Sequence, residues 1–185
     1  EIGFQEIAKS DREDHFSVSD DKRSMIGRIA ATRAMMGFYQ GDTPDLLIHN
    51  ANLALKYLPN EDLPWRSSVA HALADAQIFL GDLPEAYRTR LEAIEISKAA
   101  GNNFHLLIGY LKLAIILRYQ GQIHQVLDLC DEQLKFSSTS GTLNPAAIGL
   151  LYAIWGEALA EINDLSGALN KATEGLEVAE RGGDI

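Results

Sequence analysis

The sequence predicts an all-α fold: a right-handed superhelix of antiparallel helix pairs, about 40 residues per repeat and four repeats. Three observations predict it. The turn phrase Gly81-Asp82-Leu83 recurs in near-copy at Gly41-Asp42-Thr43, Gly121-Gln122-Ile123 and Asn163-Asp164-Leu165. A second series, Gly101, Gly141 and Gly183, falls 20 residues after the last three of these turns and divides each period into two helix-length halves. Small residues also keep register with the turns. Ala34, Ala74, Ala114 and Gly156 stand seven residues before them, and Leu46, Ala86, Val126 and Ala168 five residues after. Small side chains at matched positions let two helices cross closely. One such pair cannot bury its own apolar face, so the pairs are expected to stack.

Taken in order, residues 1–24 read as the end of a preceding helix, Ile2, Phe4, Ile7 and Ala8 being its apolar positions, followed by a polar linker from Ser10 to Ser24. Residues 25–184 read as the helical array, with pairs at about 25–58, 65–99, 103–138 and 145–181. The first helix is expected to run from Met25 to Tyr39. Its partner opens at Thr43-Pro44, a capping residue followed by a proline in the first turn. That partner carries one apolar stripe at Leu47, Ala51, Leu55 and Leu58. In the second pair, Val69, Leu73, Ala76 and Leu80 are expected to face Tyr87, Leu91 and Ile94, with Gly101 as the C-terminal stop. The third pair opens with a helix apolar on nearly all sides, from Leu106 to Leu117, a pattern that implies burial on several faces. The fourth opens at Asn144-Pro145, runs through Trp155 to Ile162, and resumes near Ser166 with Leu169, Ala172, Leu176 and Ala179. Tyr39, Phe79 and Tyr119 add an aromatic two residues before each of the first three turns.

Composition narrows the function. With 26 acidic and 16 basic side chains the formal charge is −10, which opposes direct contact with a nucleic-acid phosphate backbone. No apolar run reaches the ~18 residues that a membrane span needs. The single Cys130 permits no internal disulfide, and the expected compartment is the cytoplasm. The chain starts at Glu1 without an initiator methionine and ends at Gly183-Asp184-Ile185, where a further pair is expected to start, so it reads as a piece of a larger array. The five histidines lie in five segments without a metal-ligand spacing, and no metal site is expected. Cys130, among Leu127, Leu129 and Leu134, suits a buried thiol rather than a nucleophile.

Small residues at the crossing, a Gly-Asp turn and an alanine-rich second helix resemble tetratricopeptide repeats. Gly27 to Ala34 followed by Gln40-Gly41-Asp42, the run Ala99-Ala100-Gly101-Asn102, Gly156-Glu157-Ala158-Leu159 with Asn163-Asp164-Leu165, and Arg181-Gly182-Gly183-Asp184 resemble the MalT-like family of large ATP-dependent LuxR-type transcriptional regulators. The resemblance covers about Met25 to Asp184. It implies a nucleotide-binding switch domain before the superhelix and a helix-turn-helix after it, with ATP belonging to the former. This chain has neither a Gly-x-x-x-x-Gly-Lys-Ser/Thr loop nor a basic recognition helix, so no cofactor is expected here. It also implies a superhelix that receives a small-molecule inducer or a regulatory protein, and self-association of the parent.

In tetratricopeptide-type arrays the first helix of each pair lines the concave face. By register, Arg28, Ser68, His71, Asp75, Arg118 and Glu157 are placed there, with Tyr110 and Tyr152 nearby. His71 and Asp75, four residues apart, are expected to share a helix face. Together these positions describe a polar groove for a peptide or small polyol; the plain alternative is a solvated helix face. Trp155 reads as core, and Trp65 at a helix start as either core or binding surface. The expected function is a signal-sensing and interaction module of a MalT-like regulator, without catalysis. A general tetratricopeptide adaptor is the alternative, and a helical enzyme using His71 with Asp75 or Glu157 is a third reading that requires those groups within ~3 Å of one another.

Overall fold

The computed structural model describes residues 20–140 and 145–181, and among them the chain forms eight α-helices and no strand. They are α1 Asp20–Gln40, α2 Pro44–Tyr57, α3 Leu63–Leu80, α4 Leu83–Ala99, α5 Asn103–Tyr119, α6 Ile123–Ser140, α7 Pro145–Glu161 and α8 Leu165–Arg181. They pair α1/α2, α3/α4, α5/α6 and α7/α8 in a helical-repeat array. The expected helix at residues 1–9, most of the linker, the Asn144 cap and the glycines at 141 and 183 lie outside the described residues.

One turn builds the array. After α1, α3, α4, α5 and α7 the chain takes a left-handed backbone at Gly41, Gly81, Gly101, Gly121 and Asn163, with φ between 63 and 85°. Each time the next N–H reaches back five residues to close the helix: Asp42 to the carbonyl of Gly37, Asp82 to Gln77, Asn102 to Ser97, Gln122 to Leu117 and Asp164 to Leu159, all 2.9 to 3.0 Å. This satisfies carbonyls that a helix end leaves bare. A polar side chain then starts the next helix. Asp82, Asn102 and Asp164 accept from the N–H groups of Glu85, His105 and Gly167. Between α2 and α3 there is no glycine. Arg66 Nη1 instead donates to the carbonyls of Leu55 and Leu58 at 2.9 and 3.2 Å.

Several sequence expectations shift in register. α1 starts at Asp20, five residues before Met25, and Asp21 in its first turn suits the positive end of a helix dipole. α6 continues to Ser140. The first turn carries one residue more than the others: Thr43 takes the cap position that Asp82, Gln122 and Asp164 hold one residue after their turns. Leu47, 4 % exposed, therefore fills the place of Ala86 and Val126, and Leu46 is exposed. Thr43 makes no side-chain cap; Pro44 alone marks that start. Leu80 and Leu91 are exposed, whereas Val69, Leu73, Ala76, Ala86 and Ile94 are buried.

Small residues set the helix spacing, as the register implies. Ala34, Ala74 and Ala114 are 3 % exposed or less, and Gly156 is buried against the Ala168 carbonyl. At Gly27 the approach is closest to backbone, where an added Cβ would meet the Leu58 nitrogen at 2.7 Å. Two apolar clusters result. One joins α1, α2 and α3 through Ala30, Ala51, Leu58 and Val69; the other joins α4 to α7 through Ile94, Leu111, Leu117, Val126 and Leu151. α5 is buried on several faces, as its all-round apolarity predicts, touching α3, α4, α6 and α7.

The pattern of contact gives the array its inner side. α1 touches α3, α3 touches α5 and α5 touches α7, whereas second helices of successive pairs do not touch one another among the described residues. First helices therefore line the crowded inner side and second helices splay outward.

Candidate functional site

The inner side carries a cleft of about 160 Å³ between α1 and α3. Its apolar wall is Met35, Phe38, Ala72 and Phe79, with Leu47 and Ala76 behind. The Phe38 and Phe79 rings stack on each other at 5.0 Å and are both more than half exposed, an unusual placement for two apolar rings. The charged groups at its edge are Asp75 of α3 and Lys112 of α5, joined by a 2.9 Å ion pair.

Behind Asp75 stands a polar layer between the two apolar clusters. Its deepest member is Arg90 of α4, fully buried. Arg90 Nη2 donates to Asp75 Oδ1 at 2.5 Å and Nη1 to His71 Nδ1 at 2.6 Å. A guanidinium only donates, so His71 Nδ1 accepts and its proton sits on Nε2, which donates to Ser97 Oγ at 3.0 Å. Ser97 donates in turn to the Ala93 carbonyl at 2.6 Å and accepts from Ser67 at 2.8 Å. Ser67, its proton thus engaged, accepts from His105 Nδ1 at 3.2 Å. One set of directions satisfies the whole network: it fixes His71 as the neutral Nε2–H tautomer and puts a proton on His105 Nδ1.

The titration of these groups follows from that geometry. His71 is pushed down to about 3, first by burial and then by the neighbouring charges of Arg90, His105 and Lys112. Protonation would set an N–H against the Arg90 N–H. Burial lowers His105 and also Arg90, whose guanidinium Asp75 holds in the charged form. With Arg90 and Lys112 positive, Asp75 negative and His71 neutral, the layer carries one net positive charge. Arg90 Nε has no partner among the described residues.

The residues singled out from sequence do not form one groove. His71, at 7 % exposure, is buried instead of lining an open face, and it meets Asp75 only through Arg90. Both its ring nitrogens are engaged, which removes the base that a His71 and Asp75 enzyme would require. Arg118 reaches from α5 to Glu157 and Glu161 of α7, so this pair does come together on the inner side. Arg28 pairs with Asp62 at 3.1 Å and lies over the Trp65 ring at 5.7 Å. Ser68 donates to the Pro64 carbonyl. Tyr110 and Tyr152 turn toward second helices: burial and the carboxylates Glu95 and Glu132 raise Tyr110, and Lys171 of α8 lies over the Tyr152 ring. Trp155 packs on the edge of the α4–α7 cluster, partly buried, with Lys171 Nζ 4.6 Å from its ring centre.

Sequence reasoning missed Arg90, Ser67, Ser97, His105, Lys112 and Phe38. A signal for Arg90 existed: it shares the stripe of Ala86, Ala93, Ile94 and Ser97, where a charge on an apolar face demands a partner. Lys112 interrupts the all-round apolar α5 in the same way. Cys130 is buried, burial pushes its thiol up to about 12, and its Sγ lies 3.8 Å from the Leu151 carbonyl, a packing role. Among the described residues no helix is long and apolar enough to cross a membrane, and no group of His, Cys, Asp and Glu is placed to hold a metal ion.

The family model for the MalT-like TPR region matches residues 27–185. No curated protein matches the chain significantly. Among solved structures the chain is similar to the crystal structure of BtubC (BKLC) from P. vanneervenii, with a TM-score of 0.70 and 15 % identity over 98 % of this chain and 73 % of that one. At that identity the likeness carries the fold.

Proposed function

Because the chain belongs to the MalT-like TPR region family, we propose that it is the signal-receiving module of a LuxR-type transcriptional regulator, taking an inducer or a regulatory protein on its inner side. The observation that carries this reading is the cleft of Phe38, Phe79, Asp75 and Lys112. Exposed aromatic rings beside a half-exposed ion pair are an unfavourable surface for a passive spacer and a suitable one for recognition. ATP chemistry, DNA contact and self-association belong, on this reading, to other parts of the parent protein, and the compartment is the cytoplasm.

A thermal-shift panel of small metabolites against the chain and its Phe79→Ala variant tests it. A ligand at about 100 times its dissociation constant adds about 2.7 kcal/mol of stability, well within measurement. The expected result is a shift that Phe79→Ala removes. A shift that Phe79→Ala leaves intact would place recognition elsewhere. A general peptide adaptor would instead give no small-molecule shift and capture of a defined protein partner, lost on Arg118→Glu.

A further inference from the structure

Resting on the reading of the inner side as a receiving surface, we infer that the cleft between α1 and α3 takes a carboxylate attached to a single ring or a comparably small apolar group. Size sets the first half of the specificity. A cleft of about 160 Å³ accommodates one ring and little more, and Met35, Phe38, Ala72 and Phe79 give it an apolar wall, with Tyr39 also lining it. Phe38 and Phe79 already stack at 5.0 Å, so a ligand ring lies against this pair and not between its members.

Charge sets the second half. Both oxygens of Asp75 are occupied, Oδ1 by Arg90 and Oδ2 by Lys112, so this carboxylate has little to offer a cation. Lys112 has three donors and gives one to Asp75. Its side chain is 39 % exposed at the cleft edge, whereas Arg90 is sealed behind Asp75 and contributes only its field. The neutral His71 adds no charge, which leaves the positive excess of Arg90 and Lys112 over Asp75 facing the cleft. In a chain of formal charge −10 this is a local reversal of sign, and an anion of the right size gains a charge-assisted hydrogen bond there.

The experiment uses three probes of nearly equal shape, phenylacetate, phenylacetamide and phenethylamine, titrated into the 185-residue chain with binding followed by NMR. The probes share one ring and a two-carbon arm and differ in the charge and hydrogen-bonding groups at its end. Phenylacetate is expected to bind about tenfold tighter than the amide, and the amine more weakly still. Lys112→Met should bring acid and amide to equal affinity, and Phe79→Ala should weaken both. Lys112 and Phe79 are exposed enough for both variants to fold, which unchanged thermal midpoints would check. Preference for the amine, equal binding of acid and amide, or no binding of phenylacetate at ~10 mM, against the affinity of about 1 mM open to a ten-atom ligand, would overturn the inference. If a metabolite panel still gave a ligand sensitive to Phe79→Ala, only the ligand class would fall. If nothing responded to Phe79→Ala, the receiving-surface reading would fall with it.

Discussion

Arg90 is the residue on which most of the polar layer depends, and its burial makes a sharp contrast with Lys112. Arg90→Ala strips the donor from His71 and a partner from Asp75 inside the protein, and is expected to destabilise the chain by about 3 kcal/mol in urea unfolding. Lys112→Ala removes a half-exposed partner from the same carboxylate and is expected to change stability by less than about 1 kcal/mol. Similar losses for the two variants would contradict the layer. His71 gives the layer a pH signature. Its folded pKa lies near 3 against 6.5 for a free histidine, so the unfolded chain binds the extra proton between those values. The stability of the neutral, buried form is full above pH 6.5 and is lost as pH falls through that window, by about 1.4 kcal/mol per unit. Between pH 7 and pH 5 the parent should lose roughly 2 kcal/mol more than His71→Gln, which keeps an acceptor for Arg90. Equal losses would mean that His71 is not held neutral. None of this was legible from His71 and Asp75 alone. Helical periodicity put them on one face, but the group that joins them comes from α4, and register within a helix carries no information about its neighbour's stripe.

At the scale of the element, the turns were the most legible feature because their chemistry is local. Gly81 adopts φ 85° with open space around its α-carbon, so Gly81→Ala meets only the backbone strain of a left-handed alanine, about 1 kcal/mol. Gly27 is the opposite case, an ordinary helical backbone pressed against Leu58. Gly27→Ala brings a Cβ to 2.7 Å from a backbone nitrogen that cannot yield, and α1 must lift from α2 at a loss of about 2 kcal/mol or more. Thermal midpoints of the two variants should rank in that order. The extra residue in the first turn escaped the sequence reading because Gly41-Asp42-Thr43 looks like its three relatives. Only the cap position, at Thr43 in place of Asp42, reveals the insertion and explains why Leu47 and not Leu46 is buried. Trp155 joins the core only at its edge, since an apolar neighbourhood in sequence does not say how much of a large ring the neighbouring helix covers. Half-buried beside Lys171, it should lose about 2 kcal/mol on Trp155→Ala instead of the 3 to 5 typical of a core aromatic.

For the whole molecule, the polar layer separates the α1–α3 cluster from the α4–α7 cluster, and the cleft opens where that layer reaches solvent at Asp75 and Lys112. A ligand seated there touches α1, α3 and α5 together, three first helices from three successive pairs. A repeat array transmits such a contact along its length, because each pair is stable only through its neighbours. The fold was readable from the sequence because it repeats; the site was not, because it is assembled from unlike residues of different pairs. The central claim is that the inner cleft receives the signal, and hydrogen–deuterium exchange of the chain with and without a ligand that stabilises it addresses this most directly. The account predicts slowed exchange in the last turns of α1 and α3 and around Lys112 of α5, with α6 and α8 unchanged. Protection confined to the second helices, or spread evenly over all eight, would contradict it.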